Sequence, residues 1–253
     1  MVALAEAASV GDVGMVRSLL AQGVPVDARG NNGKTPLYFA VRANSRAGVA
    51  VLLEAGASPN VRIESPVWVG GVPLVFSAAL AGPEMLELLL QNGANPNVRK
   101  PPFLEHIKEC PFERETLLLE CINDPVLVAL LVRFGADVNV RPERTYGTIG
   151  GVTAAERAAI LRRYDVVKIL LDAGVADLEG VANALQVVPA PADMESDRIQ
   201  LLSRLRALGA TIRPSEINPR TPSELVTPGA PPLSSPKGPR PWVCGPAKRF
   251  GEE

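Results

Sequence analysis

The chain contains a single histidine, His106, four residues before a cysteine in Glu105-His106-Ile107-Lys108-Glu109-Cys110. On a helix that spacing would bring an imidazole and a thiol onto one face, the pair that nucleophilic cysteine chemistry uses. Such a couple works only on a rigid support. These residues fall in a long connection between apolar segments, so they read as an exposed loop histidine and a partly buried thiol. Glu105 with Glu109, and Glu113 with Glu115, read as solvated charge rather than an acid and base pair. The glycine-rich run Gly147 to Gly151 lacks the lysine and the spacing of a phosphate loop. Cys110, Cys121 and Cys244 are odd in number and contain no CxxC pair, which argues against a disulfide framework or a zinc cluster. The expectation is a protein that is not an enzyme and needs no cofactor or metal.

Recognition chemistry is better represented. Arg29, Arg62, Arg99 and Arg141 each stand directly after an Asp-x or Asn-x pair, in one register of a recurring pattern. If the units stack, these arginines form a file with steps of about 10 Å, the packing distance of neighbouring helices. Such a file could grip an acidic extended peptide through charge-assisted bidentate hydrogen bonds, or each arginine could pair with a nearby acid of its own chain. Trp68, Phe103, Phe112 and Tyr146 sit in three long connections, Ile63 to Gly71, Lys100 to Glu115 and Pro142 to Gly151. Rigid rings on loops are suitable interface anchors, although a long loop also needs rings to pin it to its scaffold.

Those loops need a framework, and the framework is written as a repeat. The phrase of two leucines, two further residues, glycine and a small residue occurs at Leu19 to Val24, Leu52 to Ala57 and Leu89 to Ala94. It returns at Leu130 to Ala136 with one residue more, and in weaker form at Leu170 to Val175 and Leu205 to Ala210. Each glycine follows an apolar segment with helical spacing and reads as the left-handed residue that ends a helix. A second short apolar helix precedes each of the first five, the two separated by a tight break at Gly11-Asp12, Asn44-Ser45, Gly82-Pro83, Asn123 to Pro125 or Arg163 to Asp165. Each unit is then a helix hairpin that cannot hide its apolar face without a neighbour.

The connection after Gly23 carries Val26-Asp27-Ala28-Arg29, a turn at Asn32-Gly33, an N-cap at Thr35 and a proline in the first helical turn at Pro36. From Gly23 to Ala40 the chain strongly resembles an ankyrin repeat junction, with its Gly-Ala-Asp-Val-Asn run and Thr-Pro-Leu-His helix start. Gly23 and Gly56 are also 33 residues apart, the family's repeat length. Tyr38 stands where the family has its histidine, and the later helix starts around Pro73, Thr116 and Thr153 keep only fragments of the motif. The resemblance covers roughly residues 4–210. It implies an all-α helix-turn-helix solenoid of about five or six repeats in residues 1–212, with lengthened hairpin loops projecting along one edge of a concave face. Val181 to Ala210 should form a degenerate closing unit, with Pro189 and Pro191 breaking its helices.

From residue 213 the composition changes, and ten prolines between Pro214 and Pro246 preclude a packed core, so residues 213–253 are expected to be a disordered tail. Thr221-Pro222, Thr227-Pro228 and Ser235-Pro236 fit proline-directed phosphorylation, and Pro241 to Phe250 has the composition of a short docking segment. With 26 basic and 27 acidic residues there is no global field to draw the chain to nucleic acid or an anionic membrane. Met1 to Val10 lacks the basic start and apolar run of a secretory signal. The resulting expectation is a monomeric cytoplasmic or nuclear scaffold or adaptor that binds another protein through the concave face and finger loops, the contacts being Trp68, Phe103, Phe112, Tyr146, Arg62, Arg99 and Arg141. The alternative is a small-molecule-binding protein or enzyme built on the same stack, which would need converging polar residues where only scattered ones, such as Arg42, Glu120 and Glu156, occur.

Overall fold

The structure is a computed structural model and describes residues 1–30, 33–65, 68, 70–101, 115–141 and 151–212. The chain divides into two units, Met1–Asn218 and Pro219–Glu253. The expected tail, residues 213–253 with its Thr-Pro, Ser-Pro and docking motifs, lies outside the described residues.

Among the described residues of the first unit, the helices pair as hairpins. They are α1 (Val2–Val10) with α2 (Val13–Ala21), α3 (Pro36–Arg42) with α4 (Arg46–Glu54), and α5 (Leu74–Ala81) with α6 (Pro83–Gln91). Then come α7 (Leu117–Glu120) with α8 (Pro125–Arg133), α9 (Ala154–Ile160) with α10 (Tyr164–Asp172), and α11 (Leu178–Val187) with α12 (Glu195–Ala207). The fold is the all-α stack that the repeat implies. The closing hairpin is broken at Pro189 and Pro191 as expected, α11 ending at Val187 and α12 beginning at Glu195, while α11 starts at Leu178, ahead of the expected Val181, where Asp177 accepts a hydrogen bond from the Gly180 N–H.

Local chemistry sets both ends of most helices. Thr35, Ser45, Thr116 and Asp124 each accept a backbone N–H of the first turn, supplying partners the helix cannot provide itself. Thr153 adds a full capping box with Glu156. At the other end, Gly56 has φ 88°, its N–H reaches the Leu53 carbonyl, and the Ala57 N–H reaches Leu52. This closure accounts for the glycine of the recurring phrase, which takes the left-handed φ, while the leucines recur because their side chains pack into the core. In the fourth hairpin those acceptors are Val132 and Leu131, so the phrase there is Leu131 to Ala136 in ordinary length, with valine in the second place. Leu52, Leu89, Leu131, Leu170 and Leu205 occupy equivalent positions and are all fully buried.

The first helices of the hairpins form an inner layer and the second helices an outer one. Outer contacts run unbroken from α2 through α4, α6, α8 and α10 to α12. In the inner layer α1 packs on α3 and α3 on α5, and further along α7 packs on α9 and α9 on α11. At α7 the layer thins, because that helix has only four residues against eight in α5.

Between hairpins, side chains at one register tie each connection to the next. Asn60 Oδ1 accepts from the Asn95 N–H at 2.8 Å while its Nδ2 donates to the Gly93 carbonyl at 2.9 Å. Asn97 repeats this with Asp137 and Gly135, and Asn139 with Ala176 and Gly174. Asp27 starts the ladder by accepting from Ser58, and Glu179 ends it by accepting from Thr211.

Candidate functional site

The finger that carries Trp68 is the one for which the structure describes both strands. β1 (Arg62–Ile63) pairs antiparallel with β2 (Val72–Pro73). Its return is made at Gly71, whose φ is 72° and where a Cβ would lie 2.7 Å from the Ile63 carbonyl oxygen, so glycine is required on both counts. Arg62 braces the turn: Nε donates to the Gly70 carbonyl at 2.7 Å and Nη2 to the Gly71 carbonyl at 2.8 Å. The Gly71 N–H in turn donates to the Trp68 carbonyl. The tryptophan is thereby held half-buried against the inner layer.

Beside it is a pocket of about 220 Å³ between α5 and α7. Trp68 and Val72 form one wall; Phe76 and Ala79 of α5, with Cys121 and Leu127, form the apolar interior. Leu80, in the last turn of α5, borders the pocket with 85% of its surface exposed. The rim is charged. Lys100 Nζ lies 5.7 Å from the Trp68 ring centroid, a cation over a π face, and 2.8 Å from Glu120 Oε1. Asp124 also lines the pocket, its carboxylate accepting from the Val126 and Leu127 N–H groups as the cap of α8.

The buried Cys121 thiol is pushed up to about 12, first by loss of hydration and then by the negative charges of Glu120 and Asp124. A neutral thiol of that kind is a small apolar side chain rather than a nucleophile. Among the described residues no group of three or more His, Cys, Asp or Glu side chains is placed to hold a metal ion.

The other anticipated residues separate into several groups. Arg141 donates to the Gly151 carbonyl at 3.1 Å, pairs with Glu156 at 3.4 Å and contacts the Asp177 carboxylate. It meets the Gly151 backbone and the acids of its own chain. Arg29 is exposed, while Arg99 is half-buried and its backbone bridges to Thr116. Phe103, Phe112 and Tyr146 lie outside the described residues, as do His106, Cys110 and Cys244. Tyr38 accepts a hydrogen bond from Arg42 through its hydroxyl, with Lys34 5.6 Å from its ring centroid, so cations flank the ring that replaces the expected histidine.

Sequence reasoning did not single out Lys100, Asp124 or Leu80 for this pocket. The available signal was the short interval between the caps Thr116 and Asp124, compared with that between Thr35 and Ser45, which shortens α7 and uncovers the end of α5.

Residues 1–63, which hold the first two hairpins, match a family model described as ankyrin repeats in three copies. Among solved structures, the chain is similar to the crystal structure of the human ASB11 ankyrin repeat domain, with 20% identity, a TM-score of 0.49, and coverage of 83% of this chain and 85% of that one. A comparison with curated proteins returns no match.

Proposed function

We propose, on the premise that this chain carries ankyrin repeats, that it is a scaffold or adaptor holding a partner protein against its inner helices and fingers. Ankyrin repeats are generally protein-binding modules and are typically not enzymes. The observation that carries the finer reading is the apolar pocket with Trp68 as its wall, set in the inner layer at the one-turn helix α7. A half-buried indole beside an open apolar recess provides a large contact area with little rotamer entropy to lose, the usual character of an interface anchor.

Phe103, Phe112 and Tyr146 would add to the same finger edge. Arg62 would act by holding its finger in place and Arg141 through the acids of its own chain rather than by touching the partner, and Arg99 would follow its register. The protein would work as a monomer in the cytosol or nucleus. Among the described residues no helix is long and apolar enough to cross a membrane.

The test is capture of partners from native cells by the full chain and by Trp68→Ala, compared with a stability control, Leu52→Ala. Trp68→Ala should lose capture with unchanged helical circular dichroism. Capture that survives the change would remove Trp68 from the interface.

A further inference from the structure

The same pocket, on the reading of it as a partner site, has a definite chemistry. Its interior is apolar and its volume, about 220 Å³, suits one large side chain rather than a folded surface. Of the charges at its rim, Lys100 is bound to Glu120 at 2.8 Å and lies over Trp68, so its positive charge is already matched. The Arg163 guanidinium contacts the Asn123 carbonyl, but it pairs with Asp165 at 2.8 Å. Asp124 feels the charge of Arg163 only through space, since that guanidinium is committed to Asp165, and its own hydrogen bonds come from the neutral N–H groups of α8. A net negative charge therefore borders the recess, and both carboxylates act on the Cys121 thiol at its floor.

We infer that the pocket takes a partner segment presenting one large apolar side chain flanked by lysine or arginine. The apolar group would enter against Trp68 and Phe76. A flanking cation would reach Asp124, or would share Glu120 with Lys100. Opposite charges at a rim act chiefly on encounter rate and on the choice among partners, while the buried group supplies most of the affinity. An acidic flank would meet Asp124 and Glu120 unfavourably, which is the repulsive half of the same selectivity.

The experiment uses the full chain with Trp242→Phe, leaving Trp68 as its tryptophan, and three synthetic nonapeptides in a Gly-Ser background. Their centres are Lys-Phe-Lys, Glu-Phe-Glu and Lys-Ala-Lys, and the readout is Trp68 fluorescence on titration. The Lys-Phe-Lys peptide should produce a saturable change that weakens as NaCl is raised, with at least tenfold weaker response to each of the others. Asp124→Asn retains a capping side chain but removes the charge, and together with Glu120→Gln it should abolish the preference of Lys-Phe-Lys over Glu-Phe-Glu. Equal binding of the acidic and basic peptides, or no response to Lys-Phe-Lys, would overturn the inference about partner chemistry. That failure is separate from failure of the binding reading, which would show instead as undiminished cellular capture by Trp68→Ala.

Discussion

The Cys121 thiol is 5% exposed and carries its own pH signature. Its ionisation is pushed up to about 12 from an ordinary 9.0. Well below pH 9 the thiol is neutral in both folded and unfolded chains, so its ionisation does not affect stability there. As pH rises from 9 towards 12 only the unfolded chain ionises, and stability is lost at a limiting slope of about 1.4 kcal/mol per pH unit. Urea denaturation at pH 8 and pH 10.5 should show this loss in the native chain and a reduced one in Cys121→Ala. Equal alkaline losses in both would mean that the thiol is not held neutral. The opposite sign applies at Glu195, whose carboxyl is held below its ordinary range by the side-chain hydrogen bond from Arg198. That contribution is present above the usual carboxylate range and is lost as pH falls through the depressed value, so Glu195→Gln should flatten the acid limb of the melting-temperature profile.

Asn97 belongs to the same scale. It accepts from the Asp137 N–H at 2.7 Å and donates to the Gly135 carbonyl at 3.0 Å, linking two hairpins at an exposed position. Asn97→Ala removes both bonds but leaves water within reach of their partners, so the expected loss is about 1 to 2 kcal/mol in denaturant titration. The asparagine was visible in the sequence only as a register mark, because its partners stand 38 and 40 residues away.

At the scale of elements, the contact of α4 with α1 depends on Gly48. A Cβ at this position would run into the Ala8 carbonyl of the neighbouring helix. Alanine is ordinarily the better residue inside a helix by about 1 kcal/mol. Here Gly48→Ala should instead lower the melting temperature, and a stabilised variant would show that α1 can move aside cheaply. Leu89, fully buried under the third hairpin, gives the ordinary core result, with Leu89→Ala losing about 2 to 5 kcal/mol in chemical denaturation. The difference between these sites lies in their surroundings. Leucine periodicity announces a core position, whereas nothing local to Gly48 says that another backbone passes beside it.

For the first unit as a whole, each hairpin rests on its neighbours, so damage should spread only by adjacency. Hydrogen exchange measured by mass spectrometry on Gly48→Ala should show lost protection in α1 to α4, declining through α5 and α6, with α9 to α12 unchanged. Uniform loss along all of these helices would indicate a single cooperative block.

Much of this architecture follows from the sequence alone, because helix ends are decided within a few residues. Thr35 with Pro36, Asp124 with Pro125 and Gly56 after Leu52-Leu53 each fix a cap through bonds to their own turn. The hairpins, their order and the buried leucines were therefore legible, as was Trp68 as a ring on a lengthened finger. Tertiary structure decided the rest, since it depends on which distant groups arrive together. It turned Arg62 to the finger it braces and Arg141 to the acids of its own chain, brought Lys100 over Trp68 and opened a pocket where α7 falls short of α5. A hydrogen bond to the next turn is encoded by its neighbours in the chain, but a recess between two repeats exists only once both have packed.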